Sequence, residues 1–213
     1  MANGGSGMDA FCPPAPPGPA SARVGVELLL QLHPPALPPD PVLEAWMDRM
    51  LRRAERVGRH GEIPVAAVLL DARGRALGWG SNRRERAGDP LGHAELVALR
   101  QAAAARGDWR FNDCTLLVTL EPCPMCAGAL IQARVGTVVF GAPDPKRGAL
   151  GGCLDLSGDP SAHHRLQVMG GLREAEARQQ LESWFRRRRA EVRRRRQPPE
   201  SKAGRPEARW RTD

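Results

Sequence analysis

Two short phrases carry side chains that could hold a metal and move protons: His93-Ala94-Glu95, and Pro122-Cys123-Pro124-Met125-Cys126. Two thiolates and one imidazole form a zinc donor set that leaves the fourth tetrahedral position to water. The thiolate charges formally balance the ion, and zinc lowers the pKa of a bound water toward ~7, so hydroxide is available at neutral pH. A helix starting at the cysteine phrase would favour deprotonated Cys through its unpaired N–H groups and positive dipole end. Pro122 and Pro124 lack an N–H and suit a helix start. Glu95 is then free to act as a general acid and base.

Other chemistries fit parts of this pattern. Cys-x-x-Cys alone also suits a redox pair. A structural zinc with His163 or His164 as fourth ligand would leave Glu95 as an ordinary first-turn acid. Positions two apart on a helix face different ways, so spacing does not bring His93 and Glu95 to one point. Cys114 and Cys153 read as small apolar residues.

The elements that must position these phrases follow from periodicity. Pro41 can open a helix in which Val42, Trp46, Met50, Arg53 and Val57 recur at helical spacing. Val65–Leu70, an Asp-Ala-Arg-Gly turn and Ala76–Trp79 read as a hairpin. Ala94–Ala105 is a helix closed by Gly107, and Thr115–Leu120 a strand. Met125–Ala133 is a short helix and Val135–Phe140 a strand. Leu166–Met169 is a fifth strand, followed by a long helix from about Arg173 into an arginine block. Hairpin, then alternating helix and strand, implies a mixed sheet with helices on its faces.

Composition bounds the rest. Residues 1–40, with Pro13, Pro14, Pro16, Pro17, Pro34, Pro35, Pro38 and Pro39, are expected to be a disordered extension. Residues 197–213 are a similar tail, which leaves 41–196 as the folded domain. The chain carries a net charge of +8, and Arg186–Arg196 holds eight arginines against the single acid Glu191. Such a block points to an anionic partner, nucleic acid first and an anionic membrane surface second, with a basic tail of no specific partner as the plain alternative. Five cysteines, an odd number, argue against a disulfide scaffold. No stretch approaches the ~18 apolar residues of a membrane span. Neither a signal nor a transit peptide is expected, which makes the cytoplasm the default location.

His-x-Glu followed by Pro-Cys-x-x-Cys resembles the signature of zinc nucleobase deaminases. The run Val118-Thr119-Leu120-Glu121-Pro122-Cys123-Pro124-Met125-Cys126-Ala127-Gly128-Ala129-Leu130-Ile131 is similar to the bacterial tRNA-specific adenosine deaminases. So are Val138–Lys146, Glu62-Ile63-Pro64-Val65 and the ending Trp184-Phe185-Arg186-Arg187-Arg188-Arg189. The resemblance covers roughly 42–195. It implies a three-layer α/β/α sandwich around a five-stranded mixed sheet, one zinc ion per subunit on His93, Cys123 and Cys126, and a homodimer. The implied reaction converts the wobble adenosine in the anticodon of an arginine tRNA to inosine. Glu95 would take a proton from the water, pass it to the ring nitrogen beside the attacked carbon, and then protonate the departing amine. By position, Asn82 and the Ala94 backbone N–H would contact the flipped base, and Ile63 would line its apolar wall. Asp144 would meet the neighbouring nucleotide, and Phe185 with the arginines after it, Arg188 among them, the anticodon stem-loop.

Each of these assignments has a plainer rival: Asn82 as a turn residue, Ile63 as core, Asp144 as a loop acid, Phe185 as packing for the last helix. Three departures from the family pattern are Leu91-Gly92 before the ligand, Ala66 in the first strand, and His163 before His164; the first two bear on the pocket. The rival functions are a deaminase of a free base or nucleotide (guanine, cytosine, dCMP), a noncatalytic RNA-binding subunit with structural zinc, and a membrane-surface protein. The arginine-rich end favours RNA over a free base, the presence of Glu95 favours catalysis, and arginine on every face of 186–189 disfavours a membrane-surface helix.

Overall fold

The computed structural model describes Pro38 and residues 40–196. The expected tail 197–213 and nearly all of the expected extension 1–40 lie outside the described residues. Along the chain run α1 (Asp40–Arg59), β1 (Ala66–Leu70), β2 (Ala76–Ser81), α2 (Arg84–Ala87), α3 (Ala94–Arg106), β3 (Thr115–Leu120), α4 (Pro124–Gln132), β4 (Thr137–Ala142), β5 (Gln167–Met169) and α5 (Glu174–Arg196). The five strands form one mixed sheet in the order β2-β1-β3-β4-β5. β1 is antiparallel to β2 and β3, while β3, β4 and β5 run parallel. This is the expected α/β sandwich.

The central strands are buried on both faces, as parallel strands between helical layers must be. Ala66, Val68, Leu70, Leu117 and Val139 meet α1 through Leu43, Met47, Met50 and Ala54. Ala67, Leu69, Leu116, Val118 and Val138 meet Ala94, Ala98 and Ala102 of α3 and Leu130 and Ile131 of α4. The buried line of α1 is therefore shifted from the expected Val42–Trp46–Arg53–Val57 line, with which it shares Met50. Trp46 and Arg53 flank it and take edge roles instead. The Trp46 indole donates to the Gly74 carbonyl at 3.0 Å, and the Arg53 guanidinium lies 3.5 Å over the Trp79 ring.

The docking of α3 on β2 decides where the site forms. A methyl at Gly78 would sit 2.5 Å from both the Ala98 carbonyl oxygen and the Ala102 amide nitrogen. Glycine at 78 and 80 lets the α3 backbone lie directly on the strand, and the small Ala94, Ala98 and Ala102 complete that face.

Among the differences from expectation are a later start of β4 and an additional short helix, α2. β4 begins at Thr137, because the Val135 amide bonds back to Leu130 and the Gly136 amide to Phe111, which holds both residues out of the ladder. α2 has no side-chain cap and no buried residue, so no apolar period marks it.

Candidate active site

The two phrases meet at the C-terminal ends of β3 and β4, between the starts of two helices. His93 is the N-cap of α3, with extended backbone (φ −79°, ψ 149°), and Glu95 lies in the first turn. Their two-residue spacing thus bridges extended and helical backbone, which removes the objection that they would face apart. Cys123 is the N-cap of α4 (φ −73°, ψ 170°), Pro124 opens that helix and Cys126 follows in its first turn. Cys123 Sγ lies 3.7 Å and Cys126 Sγ 3.5 Å from His93 Nδ1. The three ligating atoms all lie within 4.8 Å of one another, and the two cysteines are free thiols. Soft thiolate with imidazole, converging unbridged on one point, fits zinc. His164 is elsewhere, its Nε2 2.7 Å from the Val135 carbonyl oxygen, and His163 is exposed. Among the described residues neither joins the trio, which disfavours a closed four-ligand structural site.

Electrostatics follow from the crowding. The hydrogen bond shared with Cys126, helped by His93, draws the Cys123 thiol down to about 3, while Cys126 is held up as the thiol partner. The same contact with Cys123 raises His93. Glu95 is only 4% exposed, and burial raises its carboxyl above the usual range. A carboxyl that readily holds a proton, beside the trio, suits a group that must take and return one.

Above this floor opens a cavity of about 900 Å³. Ile63 and Val65 are apolar residues of its lining, which also includes Asn82, only 8% exposed, and Asp144 and Phe185. Asn82 Oδ1 accepts the Ala94 amide at 3.1 Å. That bond orients the side-chain amide with Nδ2, a donor, free to turn to the cavity. It also occupies the Ala94 N–H expected to contact the base. One oxygen of Asp144 accepts the Lys146 and Arg147 amides at 3.0 and 3.1 Å, so this residue builds its own turn while facing the cavity. Phe185 is 40% exposed on the cavity side. The packing role falls to Trp184, whose indole donates to the Gly58 carbonyl at 2.9 Å.

The structure places Arg188 away from this cavity, in a second crevice with Arg59 and Trp184, where it pairs with Glu191 at 3.2 Å. Arg186 and Arg189 line the first cavity instead, joined by Arg178 from the preceding turns, Arg84 from α2 and Arg147 from the loop after β4. The sequence showed an arginine block but not its phase, and Arg84, Arg147 and Arg178 lie outside the block. Of the departures, Ala66 packs toward α1 and Leu91 points to solvent at 46% exposure. Gly92 is buried in a tight turn, where a methyl would sit 3.0 Å from the Asp89 carbonyl oxygen. None of the three lines the cavity; Pro90 does.

A sheet of this order with a His–Cys–Cys trio over a buried glutamate defines a zinc-binding deaminase domain. Residues 41–142 match the cytidine and deoxycytidylate deaminase zinc-binding region. The tRNA-specific adenosine deaminase of Bacillus subtilis is 39% identical over 143 residues, 67% of this chain and 88% of that protein. The tRNA(Ile)-lysidine synthase of Deinococcus radiodurans is 49% identical over 159 residues, 75% of this chain, which spans only 26% of that longer protein. A solved structure from a study of A-to-I editing by wobble-position tRNA deaminases superposes with a TM-score of 0.61 at 38% identity, covering 63% of this chain and 97% of that one. The chain belongs to the tRNA-specific adenosine deaminase family.

Proposed function

We propose that the chain deaminates adenosine in tRNA hydrolytically, giving inosine and ammonia, and that its target is the wobble adenosine in the anticodon of an arginine tRNA. The observation that carries this reading is the pairing of a deep reaction floor with a large cationic mouth. A cavity of about 900 Å³ exceeds what one base needs, and arginines from α2, the loop after β4 and α5 surround it. Such a mouth suits a splayed single-stranded loop with its phosphates, in which a base leaves its stack to reach the floor. The family relatives that act on tRNA support the same substrate.

His93, Cys123 and Cys126 would hold zinc, which when bound supplies the Lewis acidity that makes hydroxide available at neutral pH. Asn82 Nδ2 would donate to a ring acceptor, and Ile63 and Val65 would exclude water from one face of the base. Glu95 would take a proton from the attacking water on a carboxylate oxygen, pass it to the ring nitrogen beside carbon 6, then take the proton of the hydroxyl now on carbon 6 and give it to the departing amine, which leaves as ammonia. Phe185 would offer an aromatic face to a flanking base, and Arg186 and Arg189 would meet phosphates. In this reading the Ala94 N–H serves the base through Asn82 unless that bond opens on binding. The enzyme would act as a homodimer.

The test is incubation with an arginine tRNA bearing a wobble adenosine, with Glu95→Ala and zinc-stripped protein beside it. Conversion at that single base, lost in both controls, supports the reading. No conversion by protein holding about one zinc per chain refutes it and turns attention to ammonia release from guanine, cytosine or dCMP. Among the described residues no helix is long and apolar enough to cross a membrane, in keeping with a role on tRNA.

A further inference from the structure

Glu121 has no place in the chemistry above, yet it is among the most committed side chains in the molecule. It leaves β3 immediately before Pro122 and Cys123 and is 3% exposed. One carboxylate oxygen, Oε2, accepts the Asp144 amide at 2.9 Å. The other, Oε1, accepts the Leu150 amide at 3.0 Å and the Gly152 amide at 2.8 Å. Its own amide bonds the Ala142 carbonyl at 2.9 Å, and the next carbonyl, that of Pro122, accepts the Ala149 amide at 2.9 Å. Methyl groups at Gly148 or Gly152 would overlap the carboxylate. The chain from 144 to 152 is thus wrapped around one side chain, and the two glycines are the space it needs. This same loop brings Asp144, Lys146 and Arg147 to the cavity.

We infer that Glu121 is a positioning residue for substrate binding: it clamps the loop that forms one cationic wall of the cavity to the strand end that carries the Cys123 ligand. The inference rests on the proposed function for its substrate, but the clamp itself does not. A neutral side chain of the same shape tests it sharply. Glutamine can keep its oxygen on the Leu150 and Gly152 amides, but it must then turn an NH₂ toward the Asp144 amide, donor against donor. The Asp144 end of the loop is released while the rest stays tied. Leaving a buried donor without its acceptor favours opening of that segment.

The experiment compares zinc-loaded wild type, Glu121→Gln and Gly152→Ala, the last pushing on the clamp from the loop side. Amide hydrogen exchange over 143–153, zinc content, and kcat and KM on the arginine tRNA are measured on each. The expected result is at least tenfold faster exchange in that segment, with α3 and β3 unchanged and zinc at one per chain. KM should rise tenfold or more while kcat stays within about threefold. Unchanged KM overturns the inference, as does a fall in kcat with loss of zinc, which would make Glu121 a support for the metal ligand alone. If wild type does not convert the tRNA, the functional reading fails, and the clamp is judged by exchange alone: unchanged exchange in both variants overturns it.

Discussion

Replacing Gly80 by alanine tests whether the close docking of α3 on β2 sets the geometry of the site. A methyl there would overlap the Ala94 carbonyl oxygen and come within 2.8 Å of the Ala98 amide nitrogen, both of them helix backbone. Since 3.0 Å is the practical floor for such contacts and the Ala94 oxygen would lie well inside it, the first turn of α3 must back off by at least about 0.5 Å. That turn carries His93 and Glu95. Overpacking against backbone costs about 1–3 kcal/mol. For a domain of this size that is a loss of about 2–12 °C in Tm. A shift of ~1 Å in catalytic groups costs about a hundredfold in rate, so a decrease of about ten- to a hundredfold in kcat/KM is expected. Zinc should also be lost faster to a competing chelator. The assays are thermal unfolding, chelator competition and tRNA turnover, with Gly158→Ala, where nothing lies within 4 Å, as a control expected within about 0.5 kcal/mol of wild type. Wild-type Tm, zinc retention and turnover in Gly80→Ala would refute the argument.

Glu95→Gln should keep its zinc and lose activity by about 10²–10⁴-fold, as loss of a general acid–base group does; inosine formation and metal content are read together. Arg186→Ala and Arg189→Ala should each weaken tRNA binding and flatten its dependence on log salt by about one unit, as loss of one phosphate contact does. Arg188→Ala, outside the cavity, should change the slope less, as binding titrations at several salt concentrations will show. Burial pushes the Cys114 thiol up to about 12, so almost none is thiolate at pH 8, and iodoacetamide should label exposed Cys153 and spare Cys114. Mass spectrometry of the labelled peptides decides it. Removing zinc with a chelator should lower Tm, because a ligand bound only by the folded state stabilises it; an unchanged Tm would count against the trio as the metal site.

The chemistry was legible because it lies in two contiguous phrases whose residue types admit few uses. The mixed sheet and the helices on its faces followed from alternating periodicities, while the order of its strands did not. What escaped the sequence was phase and long-range partnership. Trp46 belongs to the expected α1 stripe, yet Met47, one position on, is the buried residue; a 100° step separates the two readings, and an amphipathic aromatic satisfies either. The same step separates Arg188 from Arg189, so the number of arginines was readable but not which of them face the cavity. Glu121 and Glu62 appeared only as parts of a family-like run. Their partners lie 23 to 31 residues away and are backbone amides, which have no residue type to betray them.

Those two buried acids reveal a division of labour in the fold. The floor of the cavity is made by helix N-termini, where backbone hydrogen bonding and tight β2–α3 packing leave the ligands little freedom. Two of its walls are each hung on a buried carboxylate: Glu121 holds the 144–152 loop, while Glu62 accepts the Glu85 and Arg86 amides at 3.3 and 2.9 Å and so fixes α2, which carries Arg84. Because the Glu62 oxygens, among the described residues, accept from this wall alone, Glu62→Ala should behave unlike Gly80→Ala. It should raise KM for tRNA about tenfold through a displaced Arg84 while leaving zinc affinity and kcat near wild type. Equal losses in kcat and zinc affinity would mean that floor and walls form a single unit, and that the separation drawn here between chemistry and substrate capture is false.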